Sequence, residues 1–310
     1  MQLLRVPRDL PVKRRPLTVA ALAEADRSAV AAVVAGGAQG AVVEADNLDV
    51  LATLPDGSVD LCYADPPFGT GETQRLERIR TGGGEQTRRG FGGREYRYEV
   101  VSDHAYDDGL ALEAHLAAVR ARVEAVHRVL RPHGSLYLHC DWRTVHHLRL
   151  LLDDVFGAKR FLNELVWAYD YGGRHRDRWP RKHDTILWYA RGDRWLFDRD
   201  AIDRVPYMAP GLVGPEKAAR GKLPTDVWWM TIVPPGSAER TGYPTQKPVR
   251  LLERIVAASS RTGDLVLDPY AGSGTTGAAA ARLGRRWLLV DREPVAVQIT
   301  RDRLAREPGP

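Results

Sequence analysis

An α/β fold, with a mixed but mainly parallel sheet covered by helices on both faces, is predicted by three features of the sequence. Short apolar runs of strand length alternate with longer amphipathic runs along most of the chain. Two of the apolar runs end in an acid followed by proline, "ADPPF" at 64–68 and "LDPYAGSGTT" at 267–276, where a central strand must stop and turn. The chain has 310 residues, 44% of them hydrophobic, enough to fill a core on both sides of such a sheet.

Taken in order, residues 1–16 form a basic, proline-bearing arm. "TVAALAEADRSAVAAVVAGG" reads as a helix that Thr18 is placed to cap and Gly36–Gly37 to end. "GAVVEADNLDVLATLPDGSVDLCYADPPF" gives a strand, a helix, a turn at Pro55–Gly57 and a second strand. Residues 69–105 lack a period, and "TGGGEQTRRGFGG" has the composition of a mobile loop. "LALEAHLAAVRARVEAVHRVLRPHG" is an amphipathic helix closed by Pro132 and Gly134. The strand "SLYLHCD", the helix "TVHHLRLLLDDVFG" and the strands "NELVWAYDY" and "DTILWYAR" follow. Residues 193–243 carry prolines and scattered tryptophans but few regular runs. They read as an inserted recognition segment outside the sheet, with Trp228 and Trp229 in its own core. "PVRLLERIVAASS" is a helix, and "DLVLDPYAGSGTTGAAAARLGRRWLLVD" is strand, glycine turn, helix and strand. Four regions result: an N-terminal arm and helix (1–38), a first half of the α/β domain (39–192), the inserted segment (193–243) and a second half (244–310).

Charge and composition narrow the function. The net charge of +5 suggests an anionic partner. It is concentrated in two non-periodic stretches, 75–97 (which holds Arg88 and Arg89) and "RHRDRWPRK" at 174–182, with Arg174, Arg176, Arg178, Arg181 and Lys182 against Asp177. No apolar run reaches the ~18 residues of a membrane helix, and the N-terminus lacks the apolar stretch of a secretory signal. A cytoplasmic protein is expected. Cys62 and Cys140 are far apart, in strand-like runs, and are expected as buried thiols rather than metal ligands. His139, Asp141 and Trp142 are expected to support a strand end, and His146–His147 to lie on a helix surface.

"GSGTTG" at 272–277 follows a strand and opens a helix, so its glycines let backbone approach a ligand at a helix N-terminus. A phosphate loop is excluded, because no Gly-Lys-Ser/Thr closes the run. A dinucleotide site is a rival. Against it, three residues separate Asp268 from Gly272, where the acid would repel a pyrophosphate and suit an ammonium group. Asp291, ending the next strand, is placed to accept from ribose hydroxyls.

"DPPF" at 65–68 and "DPYAGSGTT" at 268–276 together resemble the amino-directed DNA methyltransferases, which modify N6 of adenine or N4 of cytosine. The order resembles their β arrangement, with "GSLYLHCDW", "FLNELVWAY", "HDTILWYAR" and "GYPTQKPVRLLERIVAASS" as the intermediate blocks, over most of 40–305. The resemblance implies a Rossmann-like class I methyltransferase fold, S-adenosylmethionine as cofactor, and double-stranded DNA as partner. It also implies that Gly272, Ser273 and Gly274 lie under the methionine portion, that Asp268 faces its amino group and that Asp291 holds the ribose. Asp46 would lie near the adenine, and Thr245, Gln246 and Lys247 would close over the carboxylate. Asp65, Pro66, Pro67 and Phe68 would form the target-base pocket. Adenine is preferred, since "DPP" more often accompanies adenine in this family and "SPP" cytosine; cytosine N4 is the alternative. A homodimer and a restriction endonuclease partner fit the family habit.

That chemistry suits these residue types. An exocyclic aromatic amine is a poor nucleophile, because its lone pair is delocalised into the ring. The Asp65 carboxylate and the Pro66 carbonyl can accept its hydrogens, favouring the pyramidal form. Phe68 can stack on the base, a contact worth about 1–3 kcal/mol. No metal is needed for an activated methyl donor. The base must leave the duplex stack, with 69–98 and 174–182 as candidates to grip phosphates and 195–243 to read base edges. An NAD-dependent oxidoreductase using "GSGTTG", a DNA-binding protein without catalysis, and methylation of RNA or a protein amide are the lower-ranked readings.

Overall fold

The computed structural model describes residues 22–68, 73–89, 95–107, 112–171 and 175–307, the stretches 73–89 and 95–107 by their backbone. The first helix, α1 (Glu24–Ala35), ends on Gly36 in the left-handed conformation (φ 81°), as "GG" at 36–37 predicts. It begins at Glu24 with Ala23 at the cap position; Thr18, the expected cap, lies outside the described residues. Strand β1 (Gly40–Glu44), α2 (Asn47–Thr53) and β2 (Val59–Ala64) follow as the sequence predicts.

The expected mobile loop differs. Residues Thr73–Arg89 (β3) and Glu95–Asp107 (β4) form an antiparallel ribbon separate from the main sheet. The glycine run masked the alternation of "EYRYEVV", in which Tyr96, Tyr98 and Val100 recur at period 2. The long helix α3 (Leu112–Val129) leads into β5 (Leu130–Cys140), whose register with β2 shifts between Val59–Leu130 and Leu61–Ser135. Helix α4 (Val145–Leu152) precedes β6 (Phe161–Ala168) and β7 (His183–Ala190).

The inserted segment is not wholly outside the sheet. After the short α5 (Pro215–Arg220), β8 (Val227–Trp229) pairs in parallel with β6 and forms the sheet's edge. Trp228 is buried there under the Arg254 guanidinium, 5.0 Å from its ring centroid, whereas Trp229 is 76% exposed. The two tryptophans are split by strand alternation, so only one belongs to the core. Helix α6 (Val249–Ser259), β9 (Leu265–Asp268), α7 (Thr275–Arg282), β10 (Arg286–Asp291) and α8 (Pro294–Leu304) complete the described chain.

The sheet order is β1-β10-β9-β2-β5-β7-β6-β8, parallel except where β7 runs against β5 and β6. Side chains alternate between two cores. Cys62 and Ala64 of β2 face the core under α1, α2, α3 and α4; Leu61 and Tyr63 face the one under α6 and α7. Val30 and Val33 place α1 in the first core, so the helix is part of the sheet's cover. Cys62 and Cys140 are buried free thiols, pushed well up from the ordinary range by burial first. His146 and His147 are exposed.

Candidate active site

Strands β2 and β9 are neighbours, pairing Leu61 with Val266 and Cys62 with Leu267, so Asp65 and Asp268 end at the same carboxyl edge. A cavity of about 250 Å³ opens there, lined by Asp65, Pro66, Pro67 and Phe68 on one side and Asp268, Gly272, Ser273 and Asp291 on the other. Asp46, Thr245 and Lys247 also line it. Two separated sequence motifs thus meet at one crevice.

Each acid is held by local structure. Asp268 is 2% exposed; it accepts the Thr276 hydroxyl at 2.5 Å and the Tyr270 N–H at 2.9 Å. Burial pushes its carboxyl up to about 7, against those two hydrogen bonds, with Asp65 and Asp291 adding to the rise. Asp291 accepts the Gly272 N–H at 2.8 Å and the Glu293 N–H at 3.0 Å, and burial raises its carboxyl as well. Asp46 caps α2 through the Leu48 N–H at 2.9 Å and pairs with Arg122 at 3.2 Å. Arg122 also donates to Asn47 Oδ1 at 2.6 Å, and Asn47 Nδ2 donates to the Pro269 carbonyl at 2.8 Å. The helix α3 is thereby tied to the glycine turn.

Asp65 is ion-paired with Lys247 at 2.5 Å. Lys247 is 9% exposed, its carbonyl accepts the Thr275 hydroxyl at 3.1 Å, and its ammonium sits 5.6 Å from the Phe68 ring centroid. The lysine therefore joins the glycine turn to the "DPPF" turn. Phe68 stacks on His139, with centroids 6.0 Å apart and planes at 28°. His139 is fully buried; its Nδ1 meets the Tyr63 hydroxyl at 2.7 Å and its Nε2 meets Asp184 at 3.3 Å. The Tyr169 hydroxyl donates to the other Asp184 oxygen at 3.1 Å. Burial works to raise Asp184, but His139, Lys247 and Tyr169 outweigh it and hold the carboxyl below its usual range. Tyr63 is pushed well up by burial and by Asp65, Asp268 and Asp184.

Two expected cofactor residues stand apart from the cavity. The Gln246 side chain turns into its own loop, accepting the Thr241 N–H and hydroxyl at 2.8 Å each and donating to the Glu239 carbonyl at 2.7 Å. It shapes the segment rather than facing a ligand. Gly274 starts α7 in the left-handed conformation, and a Cβ there would lie 2.7 Å from Thr300. Its small size serves the approach of α7 to α8. Of the basic residues, Arg176 and Arg178 are exposed and Lys182 is half-buried; Arg178 pairs with Asp177 at 2.6 Å. Arg88 and Arg89 lie on β3, their backbones opposite Tyr96 and Glu95, with their side chains outside the described residues; Arg174 is outside them altogether. Sequence reasoning missed Arg122, Asn47, Tyr243 and Glu293 on the cavity wall. Only Glu293, two residues beyond the Asp291 strand end, had a positional signal.

A family model described as DNA methylase matches residues 59–302. Type II methyltransferase M.HpaI of Haemophilus parainfluenzae is 28% identical over 261 residues, covering 84% of this chain and 72% of that protein. Among solved structures, the PvuII DNA methyltransferase (cytosine-N4-specific) superposes with a TM-score of 0.60 at 17% identity, covering 86% of each chain. The M1.HpyAVI–SAM complex superposes with a TM-score of 0.54 at 18% identity, covering 86% of this chain and 98% of that one. At such identities the structural likenesses speak for a shared class I fold.

Proposed function

The chain belongs to the DNA methylase family matched over residues 59–302, and from that premise we propose how its site moves a methyl group to an exocyclic amine of DNA. The enzyme is an S-adenosylmethionine-dependent DNA amino-methyltransferase. The residues present fit that cofactor. The cavity wall carries Asp46, Asp65, Asp268, Asp291 and Glu293 against Arg122, Lys247 and Arg292, and those three cations are already paired with Asp46, Asp65 and Glu293. The surplus of carboxylates favours a cationic ligand and opposes the pyrophosphate of a dinucleotide. When bound, the cofactor supplies a methyl group already activated on a positively charged sulfur.

The protein's own residues do the rest. Asp268 faces the ligand's ammonium and Asp291 its ribose hydroxyls, each with acceptor capacity left beyond the two hydrogen bonds it makes. Thr245, which lines the cavity with Lys247, closes over the ligand's carboxylate. Asp46 lies toward the base of the cofactor. Asp65, with one oxygen fixed by Lys247, and the Pro66 carbonyl accept the hydrogens of the target amine, which strengthens its lone pair as the bond forms. Phe68, backed by His139, stacks on the extruded base. The observation that carries this reading is the meeting of Asp65 and Asp268 in one cavity, spaced by adjacent strands. Substrate and donor are then aligned for direct displacement.

The target amine is N6 of adenine, on the "DPP" form of the first motif. Duplex DNA lies along the carboxyl edge, gripped by Arg176, Arg178 and Lys182, with Arg88, Arg89 and Arg174 on the neighbouring stretches. Residues 193–243 read the bases, and two copies pair over a palindromic site. A cognate endonuclease cleaves the unmodified site. Labelled methyl transfer to duplex DNA, followed by enzymatic digestion and mass spectrometry, tests the reading. It expects 6-methyladenine; 4-methylcytosine would overturn the base assignment, and no transfer would overturn the reaction.

A further inference from the structure

Strands β6 and β7 pair to their tips, where Ala168 lies opposite His183 and the Tyr169 N–H donates to the Lys182 carbonyl at 2.9 Å. Their connection therefore leaves the sheet at the edge where β2 leads into Asp65 and β5 ends in Cys140. Its returning leg is fixed by cation–π stacking: the Arg181 guanidinium lies 3.7 Å above the ring of Trp142, just past the β5 tip, and Arg143 lies 5.5 Å from the same ring. Two residues before Arg181, within about 7.6 Å along the chain, stands Trp179, 92% exposed.

An indole left in water gives up the largest apolar burial any side chain offers. Trp179 does so between Arg178, which is paired with Asp177, and Pro180, with Arg176 and Arg181 within three positions along the chain. The surface that suits this combination is anionic outside and aromatic inside, which describes a stacked nucleic-acid duplex. An acidic protein would satisfy the arginines but offers no stacked planes for the ring. The site needs such a side chain. Phe68 is already committed to His139 at the wall of the cavity, which Trp179 does not line. Extruding the target base leaves a gap in the stack, and opening costs a few kcal/mol that something must offset.

We propose that Trp179 is the wedge that enters the DNA stack beside the target base and holds open the space it vacates, with Arg178 and Arg176 on the flanking phosphates. The inference rests on the methyltransferase reading above and adds a residue to it. The expected behaviour differs from that of a phosphate contact. Loss of a wedge is felt when the base must be pulled from a pair, and is forgiven when the base is unpaired already.

The experiment uses the full-length enzyme and a duplex carrying the site read by modification-sensitive sequencing of DNA from a host expressing the chain. A second duplex places a mismatch opposite the target base. Trp179→Ala is expected to slow single-turnover methylation of the matched duplex by about tenfold or more, one opening increment of ~1.4 kcal/mol, and to stay within about threefold of wild type on the mismatched one. Trp179→Phe falls between. Fluorescence of 2-aminopurine at the target position drops in parallel on the matched duplex, while cofactor affinity by calorimetry is unchanged. Equal loss on both duplexes, no loss on either, or a changed sedimentation coefficient in the Ala variant overturns the proposal, the last by making Trp179 a contact between copies. A wild-type enzyme that methylates neither duplex overturns the methyltransferase reading instead.

Discussion

The Asp65–Lys247 ion pair ties the target-base turn to the cofactor turn, with the Phe68 ring beside the same ammonium, and most consequences at the residue scale come from it. Asp65→Asn keeps the shape and a hydrogen-bond acceptor for Lys247 but removes the charge. It is expected to lower methyl transfer by about a thousandfold or more with cofactor affinity within a few-fold, measured by labelled transfer and calorimetry. Lys247→Met frees the Asp65 carboxylate to rotate; transfer should fall about 10–100-fold, and Lys247→Arg should recover part of it. Asp268 gives a pH signature. Folded, it keeps its proton to about pH 7, whereas an unfolded carboxyl sheds it near pH 4. Its contribution to stability is therefore withdrawn as pH rises through that window and is gone above it. Asp268→Asn should narrow the fall in Tm between about pH 5 and pH 8 seen by calorimetry. A cationic ligand prefers the ionised form, so wild-type cofactor affinity should climb over about pH 6–8 and the variant's should not. Asp65, Asp268 and Asp291 were legible in the sequence because each ends a strand. Arg122 and Asn47 were not, since the bonds they make span 75 and 222 positions that no local pattern links.

At the scale of elements, the glycine turn shows three glycines with three separate jobs. Gly272 (φ 51°) lines the cavity, Gly274 (φ 72°) lets α7 meet α8, and Gly277 would place a Cβ 2.4 Å from Leu289 of β10. Gly274→Ala is expected to cost about 2 kcal/mol or more from backbone strain and contact with Thr300, read as a lower Tm, with Thr300→Ala relieving part of it. The turn was legible because glycine chemistry is local. The ribbon of β3 and β4 was not, because its long glycine run at 82–84 reads as a loop while pairing between distant strands decides the outcome. The same holds for β8, three residues long, whose strand character comes from lying beside β6.

Over the whole molecule, charge and topology act together. The basic connection between β6 and β7 projects from the same sheet edge as the cavity, so a duplex bound there would present its bases to Asp65. Replacing Arg176 and Arg178 with Gln should weaken DNA binding across sequences and reduce the slope of log K against log salt by about 2, measured by titration at several salt concentrations, with cofactor affinity intact. No helix among the described residues is long and apolar enough to cross a membrane. By itself the sequence determined the alternation of strands and helices, the acid-ended strands and the glycine turn that follows Asp268, because periodicity and turn chemistry are properties of a few consecutive residues. Only the tertiary structure decided that Lys247 spans from one turn to Asp65, that α1 covers the first core, that Gln246 faces inward, and that Trp228 is buried while Trp229 is not. Those outcomes depend on which strands become neighbours and which face each side chain then meets, and that is set by packing across the whole sheet.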